Sequence, residues 1–118
     1  MKAILKLAAV ALIAATTTQA FAADKIKIGT EGAYPPFNAM TADGEVEGFD
    51  VDIANALCAQ MKAECEIVTQ DWDGIIPGLV AKKYDAIIAS MSITDERKQQ
   101  VDFTNPYYKS ALTFVAKA

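Results

Sequence analysis

Arg97 carries the clearest chemistry in this chain, because it follows a hydroxyl-rich turn and a helix start in the stretch Ala86 to Arg97, AIIASMSITDER. A guanidinium is a planar fork that grips a carboxylate through two parallel hydrogen bonds. Apolar Ala86, Ile87, Ile88 and Ala89 read as a strand covered on both faces, and Ser90 and Ser92 follow where it emerges from the sheet. Thr94 then reads as a helix N-cap, with Asp95 and Glu96 as an acidic first turn. Unsatisfied N–H groups and the positive dipole end of such a turn attract an anion. The pattern predicts a carboxylate trap, and its alternative is a surface turn with a solvated arginine. Asp50 and Asp52 could be read as paired catalytic carboxylates, but their place at a helix start favours capping and dipole complementation.

These residues need a scaffold, and the chain supplies one by alternating strands with helices. Lys25 to Gly29 predicts a short strand that ends at Thr30-Glu31-Gly32. Tyr34-Pro35-Pro36-Phe37 excludes helix, since each proline pushes the residue before it toward extended geometry. Thr41 to Gly44 is turn chemistry. A helix then opens near Gly48-Phe49-Asp50, with Asp50 as N-cap and Phe49, Ile53, Leu57 and Met61 as its buried stripe. Glu66 to Thr69 reads as a second strand. Ile75, Ile76, Leu79 and Val80 form a helical face with Pro77 in or near the first turn. After the third strand a helix runs from Asp95 to about Gln100, Val101 to Phe103 turns extended, and Ser110 to Ala116 reads as a last strand. This order predicts an α/β fold of three layers around a mostly parallel sheet. Ligands of such sheets sit beyond the carboxyl ends of the strands near a topological switch point. Glu31 and Tyr34, Gln70 and Trp72, and Ser90, Ser92 and Arg97 all fall on that edge.

The N-terminus predicts export. Lys2 and Lys6 form a positive region, Leu7 to Ala15 an apolar run, and Ala20-Phe21-Ala22 a small-x-small site, so residues 1–22 read as a signal peptide cleaved after Ala22. Cleavage takes the chain from 118 to 96 residues and its formal charge from −4 to −6. An acidic chain without a basic cluster argues against nucleic acid as partner. Cys58 and Cys65 are the only cysteines, and an even count in an oxidising compartment favours a structural disulfide. Two thiols with no histidine in the chain make a poor metal site, and the spacing is not that of a C-x-x-C redox pair. Neither a nucleophile elbow nor a phosphate-binding loop nor a dinucleotide fingerprint is present, and the commonest general base is missing. No cofactor is implied.

Four blocks in order, IGTEGAYPPFN at 28–38, GFDVDIANALC at 48–58, DWDGIIPGLVAKKYDAI at 71–87 and SMSITDERKQQVDFTNPYY at 90–108, resemble a known family. The chain is similar to the N-terminal part of periplasmic amino-acid-binding proteins of ABC importers, solute-binding protein family 3, in the subgroup that carries lysine, arginine, ornithine, histidine and opines. The resemblance implies a type II binding fold of two α/β lobes closing on the ligand, with 23–118 as an incomplete first lobe that ends near the first hinge crossing. It implies that Arg97 clamps the ligand α-carboxylate, helped by the backbone or hydroxyl groups of Ser90 and Ser92, that Tyr34 and Trp72 pack either side of its aliphatic stem, and that Glu31 meets the distal cation. It also matches the Cys58–Cys65 disulfide. Ala89 stands where these binders often have serine, and Trp72 where they often have leucine or phenylalanine, which leaves an opine open as ligand. The expected protein is a monomeric periplasmic binder that hands a small amino acid to ABC permease subunits, and not an enzyme. Without the second lobe it is expected to bind weakly or not at all. The alternatives are an exported dehydratase-like enzyme on the same scaffold and the sensing domain of a membrane receptor.

Overall fold

The computed structural model of the chain describes residues 25–111 and 113–117, so the signal peptide read at 1–22 lies outside the described residues. Strand β1 spans Lys25–Thr30, β5 Glu64–Thr69 and β6 Ala86–Ile87. They form a parallel sheet in the order β5-β1-β6, with Ile26 beside Cys65, Ile28 beside Ile67 and Gly29 beside both Val68 and Ile87. The connections leave β1 toward one edge and then return across it to the other. That places the topological switch between β1 and β6.

Alternation along the strands sorts side chains onto two faces. On one face Ile28 packs with Ala54 and Cys58 of helix α1, which spans Phe49–Met61, together with Ile26, Cys65, Ile67 and Ile88. On the other, Ile75 and Ile76 of α2, Trp72–Val80, pack with Tyr84 and Ala89 against Val68, Ile87 and Met91. Tyr84 lies so close to Gly29 and Gly78 that a Cβ at either glycine would strike its ring, and its hydroxyl donates to the Ile75 carbonyl. The three layers expected from the sequence are therefore present. Cys58 and Cys65 form a disulfide that joins the end of α1 to β5 across a Cα separation of 6.2 Å.

Several local expectations are corrected. The proline-rich segment and the turn after it build a small antiparallel sheet, β2 Ala33–Tyr34, β3 Asn38–Met40 and β4 Val46–Glu47. These strands of two or three residues are too short to show a period. The buried face of α1 is Asp50, Val51, Ala54 and Cys58, whereas Leu57 and Met61 are 49% and 56% exposed. Small Ala54 and Cys58 let the helix approach the sheet closely, and the disulfide holds that face inward. Gly48, not Asp50, is the N-cap of α1, and no side chain caps that end. Helix α2 begins at Trp72, so Pro77 lies in its interior rather than its first turn. Helix α3 is a single turn, Asp95–Lys98, and does not reach Gln100. No strand forms at Ser110 to Ala116 among the described residues, where Phe114 and Val115 are fully exposed and no ladder partner lies alongside.

Candidate functional site

The cleft at the carboxyl edge of the sheet is built from three loops. Beyond β1, the chain presents Glu31 and then Tyr34, whose ring packs on Phe37 with centroids 5.0 Å apart. Beyond β5, it enters α2 at Trp72. Beyond β6, it turns at Ser90, which has a left-handed φ of 48°, and passes Ser92 to reach α3. Glu31, Tyr34, Trp72, Ser90, Ser92 and Arg97 together line one open cleft of about 370 Å³. Six of the seven residues that the sequence placed on this edge thus meet in one place, and Gln70 is not among those that line the cleft.

Arg97 is positioned by three contacts. Its backbone N–H donates to the Thr94 hydroxyl at 3.2 Å, which is the N-cap bond expected of that threonine. Its guanidinium Nη1 donates to the Ser92 carbonyl at 2.9 Å, and the guanidinium carbon lies 5.3 Å from the centroid of the Trp72 ring. A cation over an indole face at that distance is attracted by the ring quadrupole. Among the described residues neither Glu31 nor Arg97 is in an ion pair. Helix α3 is only one turn long, and Thr94 already holds one of its first N–H groups.

Ser90 differs from the expectation. Its hydroxyl donates to Asp50 Oδ1 at 2.8 Å, so its proton is committed to the protein. Its backbone N–H donates to the Tyr107 hydroxyl at 2.9 Å, and that hydroxyl donates in turn to Asp50 Oδ1 at 2.8 Å. Burial, together with the hydrogen bond to Asp50, pushes the Tyr107 phenol up to about 12. Asp50 is 1% exposed, and its Oδ2 accepts from Asn38 Nδ2 at 2.7 Å. Sequence reasoning missed Asn38 and Tyr107 and took Asp50 for a cap. The available signal was an acid placed between apolar Phe49 and Val51, in register with Ala54 and Cys58 on the small-residue face of the helix.

A parallel sheet with helices on both faces and a cleft at its switch point is the architecture of an open α/β lobe that binds ligand in its crevice. The chain belongs to the bacterial extracellular solute-binding proteins, family 3, whose family model matches residues 26–118. It is 54% identical over 118 residues to an L-arginine-binding protein of Pseudomonas aeruginosa, covering 99% of this chain and 45% of that protein. A Salmonella typhimurium periplasmic binding protein solved for its high arginine specificity matches with a TM-score of 0.71 and 46% identity, over 73% of this chain and 38% of that one. A single-substitution mutant of domain 1 from TmArgBP, solved in its arginine-bound form, matches with a TM-score of 0.68 and 42% identity, over 71% of this chain and 65% of that one. The chain spans less than half the length of the Pseudomonas relative. No helix among the described residues is long and apolar enough to cross a membrane.

Proposed function

We propose that this cleft is the lobe-one half of a site for a basic amino acid, arginine, lysine, ornithine or a related opine, carried through the periplasm to an ABC permease. Residues 1–22 are then a cleaved signal peptide and 23–118 the N-terminal part of lobe one. The observation that carries the reading is the convergence of Glu31, Tyr34, Trp72, Ser90, Ser92 and Arg97 on one cleft. Arg97 supplies the fork for the ligand α-carboxylate, using the N–H groups left after its bond to Ser92. Glu31 meets the distal ammonium or guanidinium, and the Tyr34 and Trp72 rings offer apolar walls for the stem between the two charges. The relatives' arginine binding supports this assignment. The reading contains no chemical step, so the ligand leaves unchanged.

A cleft open on one side leaves part of the ligand in water, so a single lobe binds weakly compared with two that close. The arginine-bound form of an isolated domain 1 in a relative supports binding by one lobe alone. Calorimetry of the protein with arginine is expected to give a measurable, weak affinity that Arg97→Ala lowers by roughly 100-fold or more, the lower end of what two charge-assisted bonds contribute. A folded Arg97→Ala protein with wild-type affinity overturns the proposal.

A further inference from the structure

The buried carboxylate of Asp50 lies outside the cleft, yet its hydrogen bonds reach two of the three loops that frame it. Toward the loop after β1, Asn38 Nδ2 donates to Asp50 Oδ2 at 2.7 Å, and Asn38 Oδ1 accepts from the Gly32 N–H at 2.7 Å. Gly32 is the residue after Glu31 and holds a left-handed φ of 78°. Toward the loop after β6, the Ser90 and Tyr107 hydroxyls both donate to Asp50 Oδ1, and Tyr107 accepts from the Ser90 N–H. Ser90 holds a φ of 48°, a conformation that side-chain-bearing residues keep only when their surroundings enforce it. One end of the network therefore pins a left-handed residue beside Glu31, and the other pins a left-handed residue that itself lines the cleft. The acceptor balance is strict: an ionised carboxylate accepts all three donors, while Asn38 must turn its oxygen to Gly32 and its amide nitrogen to Asp50.

We propose that Asp50 is a positioning residue that fixes the loop bearing Glu31 and Tyr34 relative to the loop bearing Ser90 and Ser92, and through that spacing sets the length of ligand the cleft selects. The part concerning ligand length rests on the reading of the cleft given above. The part concerning loop spacing does not.

Backbone amide spectra of the protein and of Asp50→Asn, Tyr107→Phe and the double variant N38D/D50N test the coupling without any ligand. Asp50→Asn places two amides face to face and is expected to shift the Gly32 and Ser90 resonances together. In N38D/D50N the carboxylate at position 38 accepts from Gly32 and from the new amide at position 50, whose oxygen accepts from Ser90 and Tyr107. All four bonds are restored, with only the one between positions 38 and 50 reversed in direction, and both resonances are expected to return toward their original positions. Where Asp50→Asn fails to fold, Tyr107→Phe decides, since it removes one donor from a partly exposed side chain and is still expected to move Gly32 as well as Ser90. Movement of Ser90 alone, or no return in the double variant, overturns the proposal. With ligand, Asp50→Asn is expected to change the ratio of arginine to lysine affinity by about three- to tenfold, the worth of one hydrogen bond. Simple loss of folded protein lowers both affinities by one common factor, and an unchanged ratio overturns the selectivity part. A wild-type protein that binds neither amino acid overturns the function proposed for the cleft, while the amide shifts still decide the coupling.

Discussion

At the scale of single residues, the cleft presents two charges of opposite sign, Arg97 and Glu31. Arg97 is held by the Ser92 carbonyl and the Trp72 ring, so its fork is oriented before any ligand arrives, which reduces the ordering cost of binding. Glu31 has no cationic partner among the described residues, and in the proposed site a ligand ammonium or guanidinium would complement it. Glu31→Gln is therefore expected to weaken arginine binding by about 1.5–3 kcal/mol while leaving a neutral ligand such as glutamine nearly untouched. Parallel calorimetric titrations with the two amino acids check this, and an equal loss for both would show that Glu31 does not read the side-chain charge. Arg97, Thr94 and the six cleft positions were legible in the sequence, since their types and the loops that carry them follow from local patterns. The commitment of the Ser90 hydroxyl to Asp50 was not. That bond joins residues 40 positions apart, and no local pattern encodes it.

Among the elements, the strands and helices that register cleanly in the sequence are those with a strong period or a sharp cap. Strand β1 and the Thr94 cap belong to this group, whereas α1 registers in the right stretch but with the wrong cap and the wrong buried face. The errors fall where burial depends on a neighbour. The stripe of Phe49, Ile53, Leu57 and Met61 repeats every four residues, but packing chose the face of Ala54 and Cys58 because small side chains permit close approach. Two measurements probe this packing. Gly78 sits against the Tyr84 ring with no room for a Cβ, so Gly78→Ala is expected to destabilise the fold by about 1–3 kcal/mol through overpacking. Chemical denaturation reads that loss directly. Replacing Cys58 and Cys65 by serine frees the end of α1 from β5 and is expected to cost about 2–3 kcal/mol, matched by adding reductant to the unmodified protein. If reductant left the unfolding midpoint unchanged, the disulfide would contribute nothing to stability.

For the molecule as a whole, two tyrosines couple stability to alkaline pH. The phenols of Tyr107, at about 12, and of Tyr84 both lie above their ordinary 10.0 because burial disfavours the phenolate, so the native state holds these protons more tightly than the unfolded chain. The Tyr107 contribution is fully present below about pH 10 and is lost as the pH rises through its native value near 12, and that of Tyr84 is lost in the same direction above its ordinary 10.0. Unfolding midpoints measured across that window are expected to fall, and to fall less steeply in Tyr107→Phe. A wild-type curve that stays flat would contradict the shift. By itself, the sequence determined the layered α/β order, the disulfide pair and the identity of the residues that converge at the sheet edge, because period, capping and loop position are local properties of a chain. Only the tertiary structure decided that Asp50 lies buried beneath the cleft, holding Ser90 directly and Gly32 through Asn38. It also decided that Trp72 lies against the Arg97 cation. Hydrogen bonds and ring stacking between distant segments depend on how the chain returns on itself, and that path is set by the packing of the whole sheet and its helices.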